Sequence, residues 1–213
     1  MKRSAFLLML ITGSFSLFAQ SDKYKQAMLQ RIAELESAVP EGKMLTLANS
    51  FERIATAEKD QWLPYYYAAY CQVMAALTEK DKSKTDQLAE KAENLIKTAE
   101  QIAGGGNSET YVIHSMIATA RLSVDPQSRW MLYGQSSSDY LEKARQADST
   151  NPRPYYLEGQ YKFFTPEEFG GGKKAAAPLL EKSIEMFDSF KAASELHPTW
   201  GKSAAAWFLS QCK

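Results

Sequence analysis

Residues 141–159 read LEKARQADSTNPRPYYLEG, and the order of those residues decides the fold. Leu141 and Ala144 lie three apart, the spacing that places two side chains on one helical face. A polar turn containing Asn151 and Pro152 follows, and Tyr155 opens a new apolar run with Gly159 four residues on. Such a passage marks one helix ending and the next folding back along it. The same punctuation recurs at Phe51 and Ile54 before Tyr65, at Ile96 and Ala99 before Tyr111, and at Leu180 and Ser183 before Trp200. Phe51, Ile96 and Leu141 stand at intervals of 45 residues, with Leu180 at 39. A repeat of this length means stacked helical hairpins, each burying its apolar face only against its neighbours.

Outward from that junction the chain reads as helix after helix. Tyr24, Met28, Ile32 and Leu35 share a face over 22–37, and Leu47, Phe51 and Ile54 do so over 43–58. A third helix is predicted over 62–78, with Pro64 tolerated in its first turn, and a fourth over 85–102. Gly104 to Asn107 stops it, since both residue types accept the left-handed cap conformation. Residues 108–122 form a fifth helix. Asp125 and Pro126 start a sixth, which is expected to reach 147 with a bend at Gly134 to Ser138. Helices are also predicted over 151–164, 173–193 and 200–211. No run alternates as a strand does. The expected fold is all-α, about four helical hairpins plus a C-terminal helix.

On Leu141, Ala144, Asn151, Pro152, Tyr155, Tyr156 and Gly159 the chain resembles the tetratricopeptide repeat (TPR) family. That resemblance implies a right-handed α-α superhelix over residues 20–213, a TPR-like solenoid. The period near 45 exceeds the family's 34, so its helices or loops are longer, and only the junction at Tyr155 carries the family's Gly. Phe169-Gly170-Gly171-Gly172-Lys173 also resembles interhelical turns in periplasmic accessory proteins of solute transporters.

The N-terminus reads as a signal peptide, 1–19. Lys2 and Arg3 precede the apolar run Phe6 to Ile11, and Ala19 is a plausible cleavage point. The expected mature protein is exported, periplasmic or extracellular, without a membrane span. Losing Lys2 and Arg3 leaves 23 basic against 25 acidic side chains, with none of the basic excess that nucleic acid demands. Cys71 and Cys212 lie far apart along a solenoid and read as two separate thiols.

Several residues invite chemical readings. Gly170 to Lys173 before a helix lacks the GxxxxGK[ST] spacing and reads as a turn. His114 lies among apolar helix residues and His197 precedes Pro198, neither at metal-ligand spacing. Glu167 and Glu168 are adjacent and point apart. Arg121, Asp125 and Arg129 are expected to tie the fifth and sixth helices together. No acid, base, nucleophile and metal constellation is present, so the expectation is a non-catalytic protein with no cofactor and no metal.

The TPR resemblance implies a concave groove lined by the first helix of each pair. Its expected binding residues are Tyr66, Tyr70, Met74, Met116, Tyr156, Gln160 and Phe164. An aromatic, Met-lined surface suits an extended peptide or an apolar ligand. The leading expectation is a scaffold or adaptor binding a protein or peptide in the cell envelope. The alternative is a small-ligand carrier or accessory protein of a periplasmic transport system, to be supported by a closed apolar cavity of about 300 Å³ or more between helices and opposed by a filled, shallow groove.

Overall fold

The computed structural model describes residues 22–213, so the signal peptide expected over 1–19 lies outside the described residues. All regular structure among the described residues is helical. The chain is helical over 22–33 (α1), then forms α2 (Leu35–Ala38), α3 (Met44–Ala57), α4 (Trp62–Thr78), α5 (Lys82–Ala103) and α6 (Ser108–Leu122). A short α7 (Pro126–Arg129) runs into a π-helical turn, Trp130–Gly134, and then α8 (Gln135–Ala147). The series closes with α9 (Arg153–Phe164), a 3-10 turn at Glu167–Phe169, α10 (Lys173–Ser189) and α11 (Lys202–Cys212).

Local chemistry sets these boundaries. Gly104 adopts φ 80° after α5, and the Asn107 side chain accepts from the backbone N–H groups of Glu109 and Thr110 while Thr110 Oγ1 accepts from the Asn107 N–H. That reciprocal cap satisfies donors the first helical turn would otherwise leave orphaned. Between α9 and α10, Gly170 (φ 75°) and Gly172 (φ 89°) take left-handed conformations that only glycine adopts without strain. The Gly172 N–H donates to the Lys162 carbonyl at 2.8 Å, so Gly170 to Lys173 is a turn.

The sixth helix departs from its predicted continuous course. Arg129 donates from both terminal nitrogens to Asp86 on α5, at 2.8 and 2.9 Å, and also to the Arg121 carbonyl. The chain is thereby held against α5 just where it widens into the π turn. Arg121 pairs with Glu93, also on α5, and both guanidinium groups lie over the Tyr133 ring. These arginines tie α6 and α7 mainly to α5, while Asp125 caps α7 by accepting from the Ser128 N–H.

Consecutive helices pack as antiparallel neighbours: α3 on α4, α4 on α5, α5 on α6, α6 on α8, α9 on α10 and α10 on α11. Buried alanines let their axes approach, among them Ala69, Ala92, Ala99, Ala144 and Ala176. Side-chain pairs confirm the direction, since Glu100 meets His114 while Glu93 meets Arg121 across α5 and α6. The closest fit is at Gly159, where an added Cβ would stand 2.8 Å from Leu180 Cγ and 3.3 Å from the Leu180 backbone nitrogen. Gly159→Ala is therefore expected to cost about 1–3 kcal/mol in denaturant unfolding, because α10 must move to admit one methyl. A variant as stable as wild type would show that α10 yields freely.

Candidate functional site

Four helices, α4, α6, α9 and α11, bring their N-terminal ends to one place. Arg153, fully buried, sits at its centre. It donates to Glu109 Oε1 at 2.9 Å, to Asn151 Oδ1 at 3.2 Å and to the Pro198 carbonyl, and its guanidinium lies over the rings of Phe187, Phe190 and Trp200. Glu109 also accepts from Asn151 Nδ2 at 2.9 Å and from the Tyr66 hydroxyl at 3.2 Å. Burial pushes the Glu109 carboxyl above its ordinary range despite the pull of Arg153. A buried charge is tolerable only when it is paired and hydrogen-bonded, as Arg153 is through both terminal nitrogens, its Nε alone lacking a partner.

That cluster holds down the segment between α10 and α11. Besides Arg153, the Tyr67 hydroxyl donates to the Leu196 carbonyl at 2.8 Å, and the Trp200 indole donates to the Tyr66 hydroxyl at 2.9 Å. The Trp200 ring lies 4.6 Å from that of Tyr70. The inner residues expected to line an open groove are thus covered. Tyr66 and Tyr70 lie beneath Trp200, Met116 is packed in the core, and Tyr156 is buried between Gly201 and Phe208. The chain's own segment fills the place assigned to a ligand. Two open depressions elsewhere, one on α3 beside Arg53 and one between Ser149 and Lys191, include none of the seven residues.

The apolar surface lies instead at the opposite ends of α9 and α11. Tyr156 accepts from Gln160 Nε2 at 3.4 Å, and one turn further on Phe164 is 69% exposed. Phe163 and Phe164 stand 5.3 and 5.6 Å from the Phe208 ring, and Trp207, 56% exposed, stands 4.8 Å from it. Each of these contacts is edge-on, so the four rings are fixed in orientation by one another. Half-buried Met74 belongs to α4, towards its C-terminal end. Of the seven predicted residues, Phe164 and the buried Tyr156 both lie against Phe208, and Gln160 donates to Tyr156. Phe208 and Trp207 were missed; their only sequence signal is a pair of adjacent aromatics in a short final helix.

The donors able to ligate a metal lie elsewhere or are engaged. His114 is buried, 3.1 Å from Glu100 and stacked on Tyr140 at 4.7 Å. His197 meets Trp62 edge-on, near the start of α4, and its Nδ1 lies 2.7 Å from the Ser194 hydroxyl. Cys71 and Cys212 are both free thiols. Burial pushes the Cys212 thiol up, with Lys173 pulling the other way. No cluster of three or more His, Cys, Asp or Glu side chains able to hold a metal ion occurs among the described residues.

The fold has a solved counterpart. The HusA haemophore from Porphyromonas gingivalis superposes with a TM-score of 0.78 and 40% sequence identity, over 89% of this chain and 92% of that one. The chain belongs to the HusA family. Neither a protein-family model nor a curated protein sequence matches it. As a HusA-family chain it aligns over nearly its whole length, so both the Arg153 cluster and the aromatic patch are set in a shared frame. No helix among the described residues is long and apolar enough to cross a membrane.

Proposed function

We propose that this chain is an exported, non-catalytic carrier that binds haem on the aromatic patch of α9 and α11. The observation that carries the proposal is the exposed pair Phe164 and Trp207, both set edge-on against the buried Phe208 beside half-buried Phe163, on a HusA-family fold whose solved relative is a haemophore. A porphyrin is a flat aromatic macrocycle with carboxylates along one edge. Ring faces and edges left partly in water can take such a plane along one side. A carrier is favoured over the peptide-presenting scaffold because the solved relative is a haemophore, while the inner groove, covered by the segment ending at Trp200, is open to neither a peptide nor a ligand, which moves the proposed site to the outer patch. We also propose that the hairpins stack as a right-handed, TPR-like superhelix, the arrangement the resemblance to that family implies.

The test is a haemin titration of the chain from residue 20, followed by absorbance. Haem iron takes His, Cys, Met or Tyr ligands, and both histidines are engaged away from the patch. His114→Ala and His197→Ala are therefore expected to leave haemin affinity within about twofold of wild type, a difference under 0.5 kcal/mol. Loss of binding in either variant would move the site to that histidine, and no binding by the wild type would end the haem reading.

A further inference from the structure

We propose that Trp130, on the π-helical turn, forms the second wall of the haem site, closing over a porphyrin that rests on Phe164 and Trp207. This rests on the haem reading above. The turn exposes three successive large apolar side chains, Trp130, Met131 and Leu132, the first at 60%. Leaving such a run in water is costly and marks a contact surface, and π turns within helices recur at functional sites. The turn is also firmly placed. Arg129 is clamped to Asp86 just before it, and Tyr133 within it lies under Arg121 and Arg129.

Its location follows from Gly134. A Cβ there would stand 3.5 Å from the Tyr161 hydroxyl, so the turn's last residue faces α9. Tyr161 lies one helical turn before Phe164 on α9. Trp130 stands four residues before Gly134, about one π-helical turn back and on the same side. Trp130 thus stands on the element whose last residue reaches the Tyr161 hydroxyl of α9, and Trp130, Phe164 and Trp207 are all exposed. One planar aromatic ligand is the occupant that these exposed rings favour, because it offers each of them a ring face.

The test compares haemin binding by wild type, Trp130→Ala, Trp130→Phe and Phe164→Ala, with backbone hydrogen exchange over 128–136 with and without haemin. Trp130→Ala is expected to weaken binding about tenfold and Trp130→Phe by less than about threefold, since Phe restores a ring face. Haemin is expected to slow exchange over 128–136 in the wild type. Unchanged affinity in Trp130→Ala with no protection of the turn would overturn the proposal, while loss in Phe164→Ala alone would leave the α9–α11 patch standing. A wild type that binds no haemin would sink the haem reading and this wall with it.

Discussion

Arg153→Met is expected to be the most destabilising single substitution in the chain, by about 3–5 kcal/mol, because it strands a buried carboxylate. For a chain of this size the melting temperature should fall by roughly 6–20 °C. Arg153 is fully buried and the Glu109 side chain nearly so, at 13%. Methionine would fill the space among Phe187, Phe190 and Trp200 but leave Glu109 without its cation and Pro198 without its donor. The loss should also depend on pH. Burial already raises the Glu109 carboxyl above its ordinary 4.5, so the native state holds that proton more tightly than the unfolded chain. Its contribution to stability is greatest in acid and is lost as pH rises through 4.5 towards the raised value. Without Arg153 that rise grows. The variant should accordingly be destabilised more at about pH 8 than at about pH 5 in matched denaturant titrations. Adding Glu109→Gln to Arg153→Met should recover part of the loss, a coupling that two independent sites would not show. Hydrogen exchange should place the opening in 190–201, the segment the cluster holds down.

Phe164→Ala with Trp207→Ala is expected to weaken haemin binding about a hundredfold, roughly tenfold for each ring removed from the patch. Both side chains are more than half exposed, so the melting temperature should stay near that of wild type, as it does for most surface substitutions. That separation is what distinguishes a binding surface from a packing cluster. An equal loss of stability and binding would mean the rings hold α11 against α9 and meet no ligand. Trp200→Ala should behave in the opposite way, losing stability through Tyr66 and Tyr70 whether or not haemin is present.

The helices were legible because their signals are local. Apolar spacing and caps place α4 at 62–78 and α6 at 108–122, and Gly104 to Asn107 ends α5 where expected. The break at Trp130–Gly134 was not legible as a π turn, and the contact beside it is long-range: Arg129 reaches Asp86, 43 residues away. The course of 190–201 was hidden for the same reason. Leu196 and Pro198 are held by Tyr67 and Arg153 through their backbone carbonyls, which carry no side-chain signature. Trp200 read as an aromatic opening the last helix, whereas it covers Tyr70 and α11 begins at Lys202. The site was read in part. Gln160 and Phe164 follow from the helical spacing beyond Tyr156, but Trp207 and Phe208 join them only because α11 runs parallel to α9, a pairing set by the buried segment before it.

Binding of a porphyrin at the outer ends of α9 and α11 is tested most directly by NMR. Gallium protoporphyrin IX, a diamagnetic stand-in for haemin, would be titrated into the isotope-labelled chain from residue 20. The indole signal of Trp207 and the backbone signals of 160–164 and 207–212 should shift in proportion to ligand, while the Trp200 indole, bonded to Tyr66, stays in place. Shifts centred on Trp200 and Leu196, or no shifts at any concentration, would contradict it.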